Sequence, residues 1–275
     1  MTRAASEAEQ LLEDLGLTEV PVIPDEVCKA MSTSSYQISL TEEPMVTNNF
    51  HGISLGDTNG AQILVNANIT NRHRRRFTAA HEIGHVHLHI QTNIQSQFQC
   101  TSKDISAGEH SNNIYETEAN VFASSLLMPS SAVSSIVNRN DLSWPLVHRI
   151  AALCDVSFEA AARRTIALSN DACCLIIHKQ NTMWSPIKSR KFSTYVPAQP
   201  FPTYLIKQPD IGSAESLTNN IEECDFSDWA FPDGASGKLL YTSIHNEEFN
   251  RTMTFLIHEE DIEENDYDEA YEPHF

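Results

Sequence analysis

No apolar run in the 275 residues approaches the roughly 20 that span a bilayer. The N-terminal stretch, with Glu7, Glu9, Glu13 and Asp14, also lacks the apolar core of a secretory signal, so a cytoplasmic protein without a membrane partner is expected. Cys-x-x-Cys is missing. Cys28, Cys100, Cys154, Cys173, Cys174 and Cys224 are spaced against both a zinc ribbon and a disulfide framework, and free buried thiols are the expected state. Basic residues are scarce: 18 Lys and Arg against 37 Asp and Glu leave a formal net charge of −19. Such a field repels nucleic acid and favours a basic partner surface, but says nothing of the fold. Much of it is local, since residues 259–272 include Asp261, Glu263, Glu264, Asp266, Asp268 and Glu269 with no Lys or Arg, as a solvated end does.

What is present starts with a hydrophobic content of 41%, enough for one to three soluble domains with ample core. Residues 76–90 read as one helix carrying His81-Glu82-x-x-His85. At 3.6 residues per turn the two histidines lie only about 40° apart, so both imidazoles reach one metal ion and Glu82 projects beside it. Ala79, Ile83, Val86 and Ile90, spaced four, three and four, give the opposite face an apolar stripe for a core. A catalytic zinc takes three protein donors and leaves its fourth position to water. The metal lowers the pKa of that water, and a carboxylate next to the first donor takes its proton as it attacks a carbonyl. Glu82 stands where that general base is needed.

The third donor must come from elsewhere. His89 is excluded on a straight helix, because eight residues rise about 12 Å while donors to one zinc lie a few ångström apart. A metzincin would place Gly soon after the second histidine to break the helix, and none stands between His85 and Gly108. His87 and His89 therefore read as supporting or surface histidines. Residues 114–129 supply the better candidate, with Tyr115, Ala119, Phe122, Ala123, Leu126 and Leu127 on one apolar arc and Pro129 at the end. Glu116 falls on the edge of that arc with Asn120, one turn on, placed to hold a metal-binding group in position. Glu118 falls toward solvent. Glu116 is the preferred donor, and Glu118 stays open because wheel angles and helix ends are not set by sequence.

Two segments together carry a resemblance: Arg75-Arg76-Phe77-Thr78-Ala79-Ala80-His81-Glu82-Ile83-Gly84-His85, and Glu116-Thr117-Glu118-Ala119-Asn120-Val121-Phe122-Ala123-Ser124-Ser125-Leu126-Leu127-Met128-Pro129. The chain resembles the ImmA/IrrE family of intracellular zinc metallopeptidases. The second segment is far more specific than the first. The resemblance implies cleavage, or promoted loss, of a partner transcriptional repressor under DNA damage or another stress.

The expected fold class is α+β, in three parts. Residues 1–137 form a mainly helical zinc-peptidase domain with a small sheet. Within it, residues 1–35 hold one or two short helices with Asp25 capping residues 26–31, and residues 52–55 and 61–66 form a hairpin. Residues 63–66 are the expected edge strand for a substrate backbone. Residues 96–113 read as a polar loop on the rim of the cleft, with Glu109 and His110 solvated. After a short helix at 131–137, residues 138–170 form a helix-turn-helix-like unit, with Ser143 and Ser157 as caps and a turn at Cys154-Asp155-Val156. The family resemblance supports such a unit. Arg149, Arg163, Arg164, Lys179, Lys188, Arg190 and Lys191 form the one basic neighbourhood. Asp155 where Gly is common, together with the acidic net charge, weighs against DNA contact.

Residues 171–275 are a β-rich module, with strands at 173–178, 182–187, 204–207, 238–244 and 252–258, and a turn at 245–251. In one branch of the resembled family this domain is similar to a GAF-type sensor. The reading is a zinc endopeptidase acting on a protein, with His81, His85 and Glu116 holding Zn²⁺, or Mn²⁺ or Fe²⁺ in its place, and Glu82 as base. No oxyanion donor is assignable from sequence. The rival is a regulator that binds DNA or a repressor through the helical unit or the C-terminal domain and cuts nothing.

Overall fold

The computed structural model describes residues 2–46, 49–101, 104, 113–180, 182–183, 186–202, 221–229, 237–246 and 250–259. Glu109, His110, the strand expected at 204–207 and nearly all of the acidic end lie outside them. The fold is α+β, in two compact units, Met1–Ser169 and Asn170–Phe275.

The first unit opens with α1 (Arg3–Leu15), capped by the Thr2 hydroxyl and closed by Gly16 at φ 68°, a left-handed conformation that costs glycine little. Helix α2 (Pro24–Met31) starts with proline in its first turn and Ile23 at the cap. Asp25 is thus not the cap; it sits in the first turn, where its charge meets the positive end of the helix.

Four strands follow: β1 (Gln37–Glu43), β2 (Phe50–Gly56), β3 (Gly60–Asn66) and β4 (Gln97–Thr101), in the spatial order β1-β3-β2-β4. The β2–β3 hairpin forms as its sequence suggests, but β1 pairs parallel with β3. Residues 63–66 are therefore interior to the sheet, and the edges are β1 and β4. Strand β4 lies in the stretch read as a polar loop. Its Gln97 and Gln99 face out while Phe98 and Cys100 face in, the alternation of a half-buried strand.

Helix α3 (Arg72–His85) starts at Asn71, whose side chain accepts from Arg74 N. It runs on into a π-helical turn, Val86–Ile90, so the expected single helix is widened at its end. Helix α4 (Ile114–Leu127) packs across α3. A Cβ added at Gly84 would lie 3.1 Å from Phe122 Cδ1 and 3.3 Å from Ala119 Cα. The small pair Gly84 and Ala119 thus sets how closely the two helices approach.

Helices α5 (Ser130–Val137), α6 (Trp144–Cys154) and α7 (Phe158–Leu168) complete this unit, with Ser143 and Ser157 capping α6 and α7 as their sequence positions suggest. Asp155, at φ 52°, turns the chain between α6 and α7. Its carboxylate pairs with Arg72, with His73 at 3.4 Å and with Arg76 at 3.5 Å, tying the turn to the start of α3. On α7, Arg163 pairs with Glu159, and buried Arg164 reaches Met128 O and Glu9.

The second unit holds a six-stranded sheet of β5 (Cys173–Lys179), β6 (Thr182–Met183), β7 (Ile187–Lys188), β8 (Glu222–Cys224), β9 (Lys238–Asn246) and β10 (Arg251–Glu259). Its long strands β5, β9 and β10 fall on the expected stretches 173–178, 238–244 and 252–258 but are buried almost continuously, whereas the one strand expected at 182–187 is seen as the short β6 and β7, each paired with β5. Strand β10 lies between β5 and β9, antiparallel to both. Cys174 and Ile176 of β5, Leu239 and Tyr241 of β9 and Leu256 of β10 meet Phe192, Phe201 and Trp229 in one apolar core. Among the described residues no single helix is long and apolar enough to cross a membrane.

Candidate metal centre

Helix α3 delivers His81 and His85 one turn apart, both fully buried. Their Nε2 atoms stand 3.0 Å from each other. Helix α4 brings Glu116 against them, with Oε2 at 3.1 Å from His81 Nε2 and Oε1 at 3.5 Å from His85 Nε2. Glu118, the competing carboxylate, points elsewhere: its Oε2 is 3.0 Å from His89 Nε2. Strand β4 adds a group that sequence reasoning missed, since Cys100 Sγ lies 3.1 Å from His81 Nε2 and 3.3 Å from His85 Nε2. One donor atom from each of His81, His85, Cys100 and Glu116 falls within 4.8 Å of every other, so the four could hold a metal ion. The signal for Cys100 was the alternation Gln-Phe-Gln-Cys just after the metal helix.

The surroundings settle how each imidazole presents itself. Asn120 Nδ2 donates to Asp104 O at 2.9 Å, which turns the Asn120 Oδ1 toward His81 Nδ1 at 3.0 Å. His81 must then carry its proton on Nδ1 and offer the Nε2 lone pair to the centre. A second relay serves His85. Glu118 accepts from His89 Nε2, so neutral His89 accepts at Nδ1 from His85 Nδ1, 3.1 Å away, and frees the second Nε2 lone pair. Burial lowers the pKa of His89 and takes that of His85 down to about 3, which keeps both rings neutral. Phe98 stacks on the His85 ring with centroids 4.1 Å apart. His87 lies outside the centre, 3.4 Å from Glu7.

Glu82 is wholly buried, and neither carboxylate oxygen has a partner with hydrogen-bond geometry. Burial pushes its pKa up to about 7. Its room is made by Gly52 on β2, where a Cβ would fall 2.3 Å from Glu82 Oε1. Burial, then the carboxylates of Glu82 and Glu116, pushes the Cys100 thiol far up.

Fold and site together define the class: an α+β protein in which helix-borne histidines, a buried carboxylate and a thiol could hold a metal ion. Residues 34–165, just under half of the chain, match the model of the peptidase family described as the IrrE N-terminal-like domain. The chain is also 34% identical over 82 residues to uncharacterized immunity region protein 2 of Bacillus phage phi105. That match covers 30% of this chain and 47% of the phage protein, about half its length. A solved structure titled Mycobacterium tuberculosis transcriptional regulator aligns at a TM-score of 0.49 and 12% identity, over 93% of this chain and 87% of that one.

Proposed function

We propose that this chain is a metal-dependent endopeptidase that cleaves a protein partner, a transcriptional repressor of the helix-turn-helix class, in a stress, DNA-damage or mobile-element response. The observation that carries the reading is the convergence of His81, His85 and Glu116 beside the unpartnered, buried carboxylate of Glu82. Two imidazoles and a carboxylate suit Zn²⁺ best, with Mn²⁺ or Fe²⁺ as the other cations this donor set takes. When bound, the cation supplies Lewis acidity toward a carbonyl oxygen and toward water. Glu82 takes the proton of the attacking water and returns it to the leaving amine, and a pKa near neutrality suits both transfers. Asn120 and His89 keep the two imidazoles aimed. Strand β4 replaces residues 63–66 as the edge on which a substrate backbone is laid.

The repressor as partner rests on the family resemblance and on the immunity-region relative, and a net charge of −19 suits a basic partner surface. Cleavage takes place in the cytoplasm. Residues 138–170 serve packing more than DNA, because Asp155, Arg163 and Arg164 are engaged within the first unit. The second unit is a sensing or docking module of GAF-like kind. The test is to mix the purified chain with the repressor encoded beside its gene, with Zn²⁺ or with a chelator, and to look for two fragments with the metal alone. Glu82→Gln is expected to keep the metal and leave the repressor whole; full cleavage by that variant rules the mechanism out. A salt-dependent shift of duplex DNA, unchanged by Glu82→Gln, instead favours the rival regulator.

A further inference from the structure

Cys100 has no part in the chemistry just described, yet its sulfur stands among the donor atoms. It lies 3.1 Å from His81 Nε2, 3.3 Å from His85 Nε2 and 4.0 Å from Glu116 Oε1. Apolar packing alone would bury a thiol against carbon, and the buried Glu82 carboxylate beside it is the opposite of such a setting. The delivery is built into the strand. Cys100 pairs with Gly52, while Thr101 pairs with Phe50, so His51 is an extra residue that bulges β2 opposite this step. Bulges of this kind re-aim side chains next to active sites. Phe98, two residues earlier on the same face, holds the His85 ring by stacking.

Metal centres with four protein donors are closed, whereas hydrolytic ones keep a position open. We propose that Cys100 is a fourth protein donor, closing His81, His85 and Glu116 into a resting centre, and that cleavage requires β4 to carry the sulfur away. This rests on the reading of those three residues as metal donors. On coordination the thiol gives its proton to solvent and a sulfur lone pair forms the bond. On release that bond breaks and the sulfur regains a proton, with no electron transferred. The strand is suited to the task. Among the described residues β4 pairs on one side only, and its ladder is interrupted at Cys100. A peptide added to its outer edge would load the very strand that holds the sulfur.

The probe is Co²⁺ alone, added to the full chain. The wild type is expected to bind one cobalt and show an intense near-ultraviolet sulfur-to-cobalt band. Cys100→Ala and Cys100→Ser should keep cobalt and lose the band, with affinity reduced roughly tenfold or more. Cys154→Ser, at another buried thiol, should keep both. With zinc, Cys100→Ala should cut the repressor faster than wild type, and equal or slower cutting overturns the closure. Wild-type protein that binds cobalt without a sulfur band overturns the proposal alone, whether or not the variants fold. Protein that takes up no cobalt overturns the metal centre along with it.

Discussion

His81 and His85 offer their Nε2 lone pairs because each ring's other nitrogen is already engaged, by Asn120 in one case and His89 in the other. The second arrangement gives His89 and Glu118 a role as an aiming relay. Groups that orient metal-binding histidines typically account for 10- to 100-fold in metal affinity. His89→Ala is expected to weaken Zn²⁺ binding by about that factor while leaving the fold intact, as read by competition with a chromogenic chelator; unchanged affinity would remove the relay. At this scale the motif histidines and Glu82 were readable because they are contiguous, and Glu116 because the apolar arc of its helix placed it. Cys100 was not, because a lone cysteine in a polar stretch has no partner until the sheet folds.

Among the elements, the crossing of α3 over α4 decides whether Glu116 reaches the histidines at all. Gly84 lies against Phe122 and the backbone of Ala119, the latter unable to give way as a side-chain tip can. Gly84→Val should force the helices apart, destabilise the protein by about 1–3 kcal/mol as overpacking does, and weaken metal binding along with stability. Thermal melts paired with metal titrations check this; lost stability at full metal affinity would separate the crossing from the site. The helix pair α6 and α7 was equally legible from its serine caps, but not its use. Asp155 adopts the left-handed turn that glycine would take, and its carboxylate then binds Arg72, His73 and Arg76 on α3. Of the basic residues noted in sequence, Arg163 pairs with Glu159 and Arg164 with Glu9 within the first unit.

For the whole molecule, the donor group gathers residues from α3, β4 and α4, so a bound cation links three parts of the first unit. Binding to the folded state alone stabilises it by about 4 kcal/mol when free metal exceeds its Kd a thousandfold. Chelation should therefore lower Tm, by roughly 2–4 °C for each kcal/mol lost. Differential scanning calorimetry with and without chelator tests this, and an unmoved Tm would argue against a structural grip on metal.

The amino-acid sequence alone determined the helix that bears His81, Glu82 and His85, the apolar arc that turns Glu116 inward, and the short apolar runs that form the long strands of the second unit. These follow from periodicities within a single element, where neighbours in space are neighbours in the chain. Only the tertiary structure decided that β3 is interior, that β1 and β4 are the edges of the described sheet, and that Cys100 lies beside His81, His85 and Glu116. Strand order and the meeting of residues on separate elements depend on which faces find each other in three dimensions, and no local spacing encodes that.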